Sequence, residues 1–207
     1  MSMTGYKIIA LGEMIEVLEE DRIKEILSSF SCPKNLDVEH FLHKSALINE
    51  QQGISRTFLV YASYKGKQVL IGYFAIASKS FAIKHTLNGK LISKTMKKRI
   101  QRFGTYIAET KTYTIPAPLL GQLGKNFRNG YNNLITGDEL LALACSKIQE
   151  GQRVLGGRFI YLECEDNPNL TEFYERNGFF AFAHRPLDRD ERSDFSGDYL
   201  VQMLKYQ

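Results

Sequence analysis

The spacing of apolar and polar positions changes character several times along the chain. In DRIKEILSSF (21–30), Ile23, Ile26, Leu27 and Phe30 share one helical stripe, and Pro33 stops it. Asp37 is placed to cap a second helix, DVEHFLHKSALINEQQ (37–52), whose apolar face is Val38, Phe41, Leu42, Ala46 and Leu47. A short strand, YKII (6–9), precedes both, and Gly53 ends the helical pattern. From Thr57 the chain is rich in β-branched and aromatic residues. RTFLVYASY (56–64) and VLIGYFAIAS (69–78), separated by the turn-like Lys65-Gly66-Lys67, predict a hairpin feeding an antiparallel sheet.

Downstream, LISKTMKKRIQRFG (91–104) sets Ile92, Met96 and Ile100 at helical spacing among basic residues, with Gly104 as its end. YTIPAPLLGQLGK (113–125) is extended, and Pro116 and Pro118 imply an edge, a bulge or an irregular approach. RNGYNNLITG (128–137) is a loop and GDELLALACSKIQEG (137–151) a helix. RFIYLECED (158–166) is a strand, NLTEFYERN (169–177) a helix and FFAFAHRPL (179–187) a strand. A charged loop (188–198) and the strand YLVQMLKY (199–206) close the chain. The order predicts an α/β or α+β protein with a mixed sheet, read as one domain over 1–207 with 88–104 as a basic helical insertion.

Composition adds limits. With 207 residues, 43% apolar and 24% charged, the chain can bury a core without disulfides or structural metal, and disorder, collagen and coiled coil are excluded. No apolar run is long enough to span a bilayer, and the acidic start does not read as a signal peptide. Cys32, Cys145 and Cys164 are far apart, without CxxC pairs or clustered histidines. They read as reduced, apolar-behaving residues, which implies a cytoplasmic location and no metal site. The net charge of +4 conceals an asymmetry: residues 84–128 hold ten Lys/Arg and one acid, Glu109, for +9, and the remainder carries −5. Such a field attracts phosphates or other anions.

Two segments carry candidate chemistry. In LLGQLGKNFRNGYNNLITGDELL (119–141) an apolar strand runs into a Gly/Asn loop that opens a helix, with Thr136 and Glu139 at capping-box spacing. Backbone N–H groups at such a helix start, with Lys125 and Arg128 nearby, suit a phosphate, whereas Asp138 and Glu139 oppose one. The loop is neither GxxxxGKS nor GxGxxG. The second segment is FIYLECEDNPNLTEFYERNGFF (159–180), a strand, a helix carrying FYERNGF and a following strand.

Together, in this order and spacing, the two segments resemble the GNAT superfamily of acetyl-CoA-dependent N-acetyltransferases, and the resemblance covers nearly the whole chain. It implies a mixed, mostly antiparallel twisted sheet, flanked by helices and split between two central parallel strands that hold the acyl-CoA. Backbone groups of Leu123, Gly124 and Lys125 correspond to those that pair with pantetheine. Asn132, Asn133, Leu134, Thr136, Gly137 and Asp138 correspond to the pyrophosphate loop, although Asn132 and Ile135 stand where the family usually has Gln/Arg and glycine. Asn167, seven residues before Tyr174, matches the asparagine that hydrogen-bonds the pantetheine arm. Tyr174 matches the general acid that protonates the departing thiolate. Packing among Phe173, Phe179 and Phe180 is its plain structural reading.

Strand alternation places Phe159, Tyr161, Glu163 and Glu165 on one face, so Glu163 and Glu165 are candidate bases for the acceptor amine, with solvent as the alternative. The implied function is acetyl transfer from acetyl-CoA to a primary amine, directly in a ternary complex. The acceptor is a small molecule, a peptide or an aminoacyl-tRNA. A toxin-like enzyme acting on aminoacyl-tRNA is the first alternative, with RNA contacted through Lys94, Lys97, Lys98, Arg99 and Arg102. A non-catalytic GNAT-fold module that binds nucleic acid or protein is the second. The apolar last strand suits either a homodimer contact or a sheet interior.

Overall fold

A computed structural model describes residues 5–84, 92–188 and 197–207. The chain divides into two compact units. The first comprises Met1–Ala77 and Leu120–Ser146, and the second Ser78–Leu119 and Lys147–Gln207. Three elements run through both: β3 (Lys67–Lys84), β5 (Thr112–Lys125) and α6 (Gly137–Leu155).

In the first unit β1 (Tyr6–Ala10) leads into α1 (Leu11–Ile15), a turn of helix that the sequence pattern does not announce. α2 (Glu20–Leu27) follows with Ile23, Leu27 and Phe30 buried, as their stripe predicts. The next helix is capped by Asn35 rather than Asp37: Asn35 Oδ1 accepts from the Val38 N–H at 3.2 Å. Asp37 lies within the first turn, where an acid still favours the helix dipole, and accepts from Gln122 Nε2 at 2.9 Å. That helix runs as α3 (Leu36–His40), a π turn (Phe41–Ser45) and α4 (Ala46–Gln52), ending at Gly53 with φ 72°. Buried Glu50 ties its end to β2 (Ser55–Tyr64), accepting from the Thr57 N–H at 2.7 Å and from Arg56 Nη1 at 2.9 Å.

β2 and the first half of β3 form the expected antiparallel hairpin, turned by Lys65 (φ 50°) and Gly66 (φ 75°), the pair of positive φ values that a tight hairpin turn needs. The apolar core of this unit gathers Leu11, Ile23, Leu27, Phe30, Leu42, Leu59 and Tyr73. Two glycines permit its closest approaches. A Cβ on Gly124 would stand 2.3 Å from Val38 Cγ1, and one on Gly72 would stand 2.8 Å from the Gly124 carbonyl oxygen.

The second unit contains the end of β3, α5 (Lys94–Phe103), β4 (Thr105–Ile107), most of β5, β6 (Phe159–Glu165), α7 (Pro168–Arg176), β7 (Phe180–Pro186) and β8 (Tyr199–Tyr206). Ser93 caps α5, accepting from the Met96 N–H at 3.2 Å, and Ile92 and Ile100 are buried as their spacing predicts. The core gathers Phe81, Ile100, Ile115, Phe159, Tyr161, Phe182 and Leu204.

The strand order is β1-β2-β3-β5-β6-β8-β7, with β4 on β5. The pairs β1–β2, β2–β3, β4–β5, β6–β8 and β7–β8 are antiparallel, and β5 and β6 form a parallel ladder with the register Leu119↔Tyr161. β5 is interior in that order, not an edge. Pro116 and Pro118 fall between its β4-paired stretch (Thr112–Thr114) and Leu119, so those ladders lose no N–H donor. β8 lies between β6 and β7, which accounts for the apolar content of the last strand. The charged loop over 189–196 and residues 88–91 of the basic insertion lie outside the described residues. No helix among the described residues is long and apolar enough to cross a membrane.

Candidate active site

In the first unit, β5 delivers Leu123, Gly124 and Lys125 to the start of a loop built of 3₁₀ turns, Arg128–Leu134. Asn129 (φ 53°) and Gly130 (φ 72°) turn it through the left-handed region. Lys125 folds over this loop and donates from Nζ to the Asn132 carbonyl at 3.0 Å and the Ile135 carbonyl at 3.2 Å. Tyr6 donates to the Leu134 carbonyl at 3.3 Å, and Asn132 Nδ2 donates to Asn133 Oδ1 at 3.2 Å. The loop is thus braced largely through its carbonyl oxygens.

The helix start is a reciprocal capping box. The Glu139 N–H donates to Thr136 Oγ1 at 3.1 Å, and the Glu139 carboxylate accepts from the Thr136 N–H at 2.8 Å and from its hydroxyl at 2.7 Å. Those bonds from Thr136 hold the Glu139 carboxyl below its ordinary pKa. The donor set suits a pyrophosphate in kind: backbone N–H groups of Gly137 and Asp138 in the first turn of α6, with Lys125 and Arg128 as cations nearby in sequence. Glu139 has already engaged the Thr136 N–H, so that donor would serve an anion only after the carboxylate moves.

Asn126 was not singled out by sequence reasoning, yet it organises the approach to this loop. It is 1% exposed. Its carboxamide oxygen accepts from the Ser31 and Arg128 N–H groups, both at 3.0 Å. Its amide donates to the carbonyls of Ser29 at 3.3 Å and Leu70 at 2.8 Å. The connection between α2 and α3, the strand β3 and the loop are therefore joined through one side chain. An asparagine after a strand carries no distinctive sequence signal for such a role.

The second unit holds the remaining candidates. Asn167 caps α7, its carboxamide oxygen accepting from the Asn169 N–H at 3.0 Å. Tyr174 is half-buried on α7, its ring edge-on to Phe173 (centroids 4.9 Å apart) and to Phe179 (5.7 Å). Cys164 is buried on the opposite face of β6 from Glu163. Its thiol lies 3.8 Å from the Met203 sulfur, and burial pushes its pKa up to about 12. Such a thiol is no nucleophile at neutral pH.

Glu163 sits in a partly buried polar network. Its carboxylate accepts from Arg185 Nε at 3.1 and 3.0 Å, from Arg185 Nη2 at 2.7 Å, from Gln202 Nε2 at 2.9 Å and from the Tyr161 hydroxyl. Burial alone would raise its pKa. The Arg185, Tyr161 and Gln202 hydrogen bonds and the Arg185 charge outweigh that, and the net shift is downward. A carboxylate so held is a weaker base than a free one. Tyr161 is shifted upward by burial and by Glu163. Sequence alternation places Glu163 beside Tyr161 on one face, but Arg185 and Gln202 come from β7 and β8, and nothing in the sequence spacing pairs them with it.

No protein-family model matches the sequence, and no curated protein matches it. Solved structures do. A mutant of KacT superposes with a TM-score of 0.59 at 18% identity, over 96% of this chain and 94% of that one. AtaT complexed with acetyl-methionyl-tRNAfMet gives 0.60 at 17%, over 95% and 93%. AtaTR bound with AcCoA gives 0.56 at 18%, over 97% and 94%. At these identities the likeness is one of fold: the chain has the GNAT-like fold that its sequence resemblance implies, a mostly antiparallel sheet with one parallel pair and flanking helices.

Proposed function

We propose that this chain is an acetyl-CoA-dependent N-acetyltransferase that moves the acetyl group directly to a primary amine. The observation that carries the proposal is the fold likeness over 97% of the chain to a structure bound with AcCoA, joined to the strand–loop–helix segment and to the tyrosine-bearing α7. Acetyl-CoA supplies a thioester, an acyl group activated toward amines. Backbone groups of Leu123, Gly124 and Lys125 pair with the pantetheine arm, and the Asn167 amide adds a hydrogen bond to it. Asn132, Asn133, Leu134, Thr136, Gly137 and Asp138 line the pyrophosphate. The amine nitrogen bonds to the thioester carbonyl carbon, the C–S bond breaks, and Tyr174 protonates the departing thiolate. With the Glu163 carboxylate engaged by Arg185, the amine proton passes to solvent, and Glu163 holds the β6–β8–β7 side chains in place.

A second reading, an aminoacyl-tRNA acceptor, is favoured by α5. Lys94, Lys98 and Arg102 are exposed and spaced four residues apart along one side of the helix, and exposed Tyr106 follows on β4. Lys97 and Arg99 are half-buried, Arg99 lying 4.0 Å from the Tyr206 ring centroid. Clustered cations beside an aromatic suit RNA. The relative AtaT is seen with an acetylated methionyl-tRNA. A cytoplasmic place of action accords with three free, buried cysteines.

The test is titration with acetyl-CoA, by calorimetry, of the wild type and of Asn167→Ser, which retains a helix cap and removes the amide. Binding weakened by Asn167→Ser is the expected result. No binding at millimolar acetyl-CoA would sink the enzymatic reading and leave a non-catalytic module that uses its basic face.

A further inference from the structure

Asp37 and Gln122 form a polar pair in the first unit, beside the strand segment assigned to the pantetheine arm. Gln122 immediately precedes Leu123, Gly124 and Lys125 on β5. The helix that carries Asp37 comes close to this strand because Gly124 has no Cβ to hold Val38 off. Gln122 Nε2 donates to Asp37 Oδ2 at 2.9 Å. The wholly buried Tyr73 hydroxyl donates to the Val38 carbonyl and lies 3.5 Å from Gln122 Oε1, so the Gln122 amide is held at both ends. Tyr73 is fixed in turn by Phe30, edge-on at 5.0 Å, and by Phe41, parallel at 6.3 Å, which the π turn of the Asp37 helix supplies. Such π turns are frequent at functional sites. Asp37 and Gln122 themselves are half-buried. A neutral amide fixes a carboxylate without cancelling its charge, and one such bond uses only part of a carboxylate's capacity to accept. Glu163, in contrast, is oriented by a guanidinium.

We propose that Asp37 is the anionic partner of the acceptor's primary ammonium group, with Gln122 as the residue that positions it. The role rests on the acetyl-transfer function and adds the residue that selects a cationic acceptor. The ammonium group loses one proton to solvent and becomes nucleophilic. As its nitrogen bonds to the thioester carbon, positive charge returns to nitrogen, and a second proton leaves to solvent when the C–S bond breaks. A carboxylate already held in place stabilises that charge both on binding and as the bond forms.

The test is titration of the full-length chain with n-butylammonium chloride, up to about 100 mM at fixed ionic strength, with n-butanol as the neutral isostere. The side-chain NH₂ resonances of Gln122 report on the site. They are expected to shift saturably with n-butylammonium and not with n-butanol. Asp37→Asn, which still accepts from Gln122, should weaken the interaction at least about tenfold, the loss of one charge-assisted hydrogen bond. Gln122→Ala, followed through the backbone amides of Asp37 and Val38, should weaken it about three- to tenfold, since the carboxylate is then no longer held. Neither variant should alter acetyl-CoA affinity. Gln122 resonances that do not respond, or respond equally to n-butanol, would overturn the proposal, as would a response that Asp37→Asn leaves unchanged. Ammonium binding by a chain that does not bind acetyl-CoA would instead remove the acetyl-transfer reading, and the acceptor role of Asp37 with it.

Discussion

The Glu163 carboxylate meets Arg185 edge to edge, with Nη2 2.7 Å from Oε2, across a strand that separates their own: β8 lies between β6 and β7, and its Gln202 donates to the same carboxylate at 2.9 Å. The pair is one-fifth to one-quarter exposed. Removing Arg185 therefore leaves a mostly buried carboxylate without its counter-charge. Arg185→Leu should cost about 2–3 kcal/mol in urea unfolding, and Arg185→Leu/Glu163→Gln should recover part of that loss.

The same pair sets an acid limb. The folded-state pKa of Glu163 lies below its unfolded value, so the contribution is complete above the ordinary carboxyl range. It is lost as pH falls below the ordinary carboxyl range and through the lowered folded pKa. In Glu163→Gln this limb of the stability–pH curve should flatten, while other carboxylates keep theirs.

Gly124 and Val38 offer a packing test. A Cβ at Gly124 would lie 2.3 Å from Val38 Cγ1, so Gly124→Ala should destabilise by about 1–3 kcal/mol. Adding Val38→Ala removes the clashing methyl, and the double variant should be more stable than the sum of the single losses. At Gly72 the obstacle is the Gly124 carbonyl oxygen, which is backbone, so Val38→Ala should give no rescue there.

Asn126 makes four hydrogen bonds at 1% exposure. Asn126→Ala leaves several buried backbone groups unpaired, at a cost on the order of 3 kcal/mol. It should also loosen the start of the 126–135 loop, read as faster amide exchange at Arg128 and Ser31.

Tyr174→Phe retains the ring that packs against Phe173 and Phe179 and removes only the hydroxyl. The turnover rate should fall by about 10²–10⁴-fold while acetyl-CoA affinity changes little. Loss of binding with an unaltered rate would remove Tyr174 from the chemistry.

Charge reversal of Lys94, Lys98 and Arg102 to Glu should abolish RNA binding and leave acetyl-CoA binding intact. In the wild type, RNA affinity should fall steeply as salt rises. Retention of RNA binding after reversal would place the contact elsewhere.

Local chemistry is legible in this sequence wherever periodicity or a cap decides it. The stripe of Ile23, Leu27 and Phe30, the Lys65-Gly66 turn, the Thr136–Glu139 box and the face shared by Phe159, Tyr161 and Glu163 all follow from spacing, because helix and strand periods are local properties. The resemblance carried by 119–141 and 159–180 extends that reading to a GNAT-like sheet. What spacing could not decide depends on which strands become neighbours. Two prolines make β5 resemble an edge strand, yet it lies between β3 and β6 in the strand order, with its β4 pairing and its Leu119 pairing to β6 on either side of them. Arg185 and Gln202 reach Glu163 only because β8 enters between β6 and β7, a placement of residues 22 and 39 positions away that no local pattern encodes. Asn126 becomes a four-way junction only once β3 and the chain after α2 close around it. The sequence by itself determined the elements and the kind of chemistry they carry. The tertiary structure alone decided which carboxylate is engaged and which polar groups are buried, since burial and counter-charge arise from segments that meet only on folding.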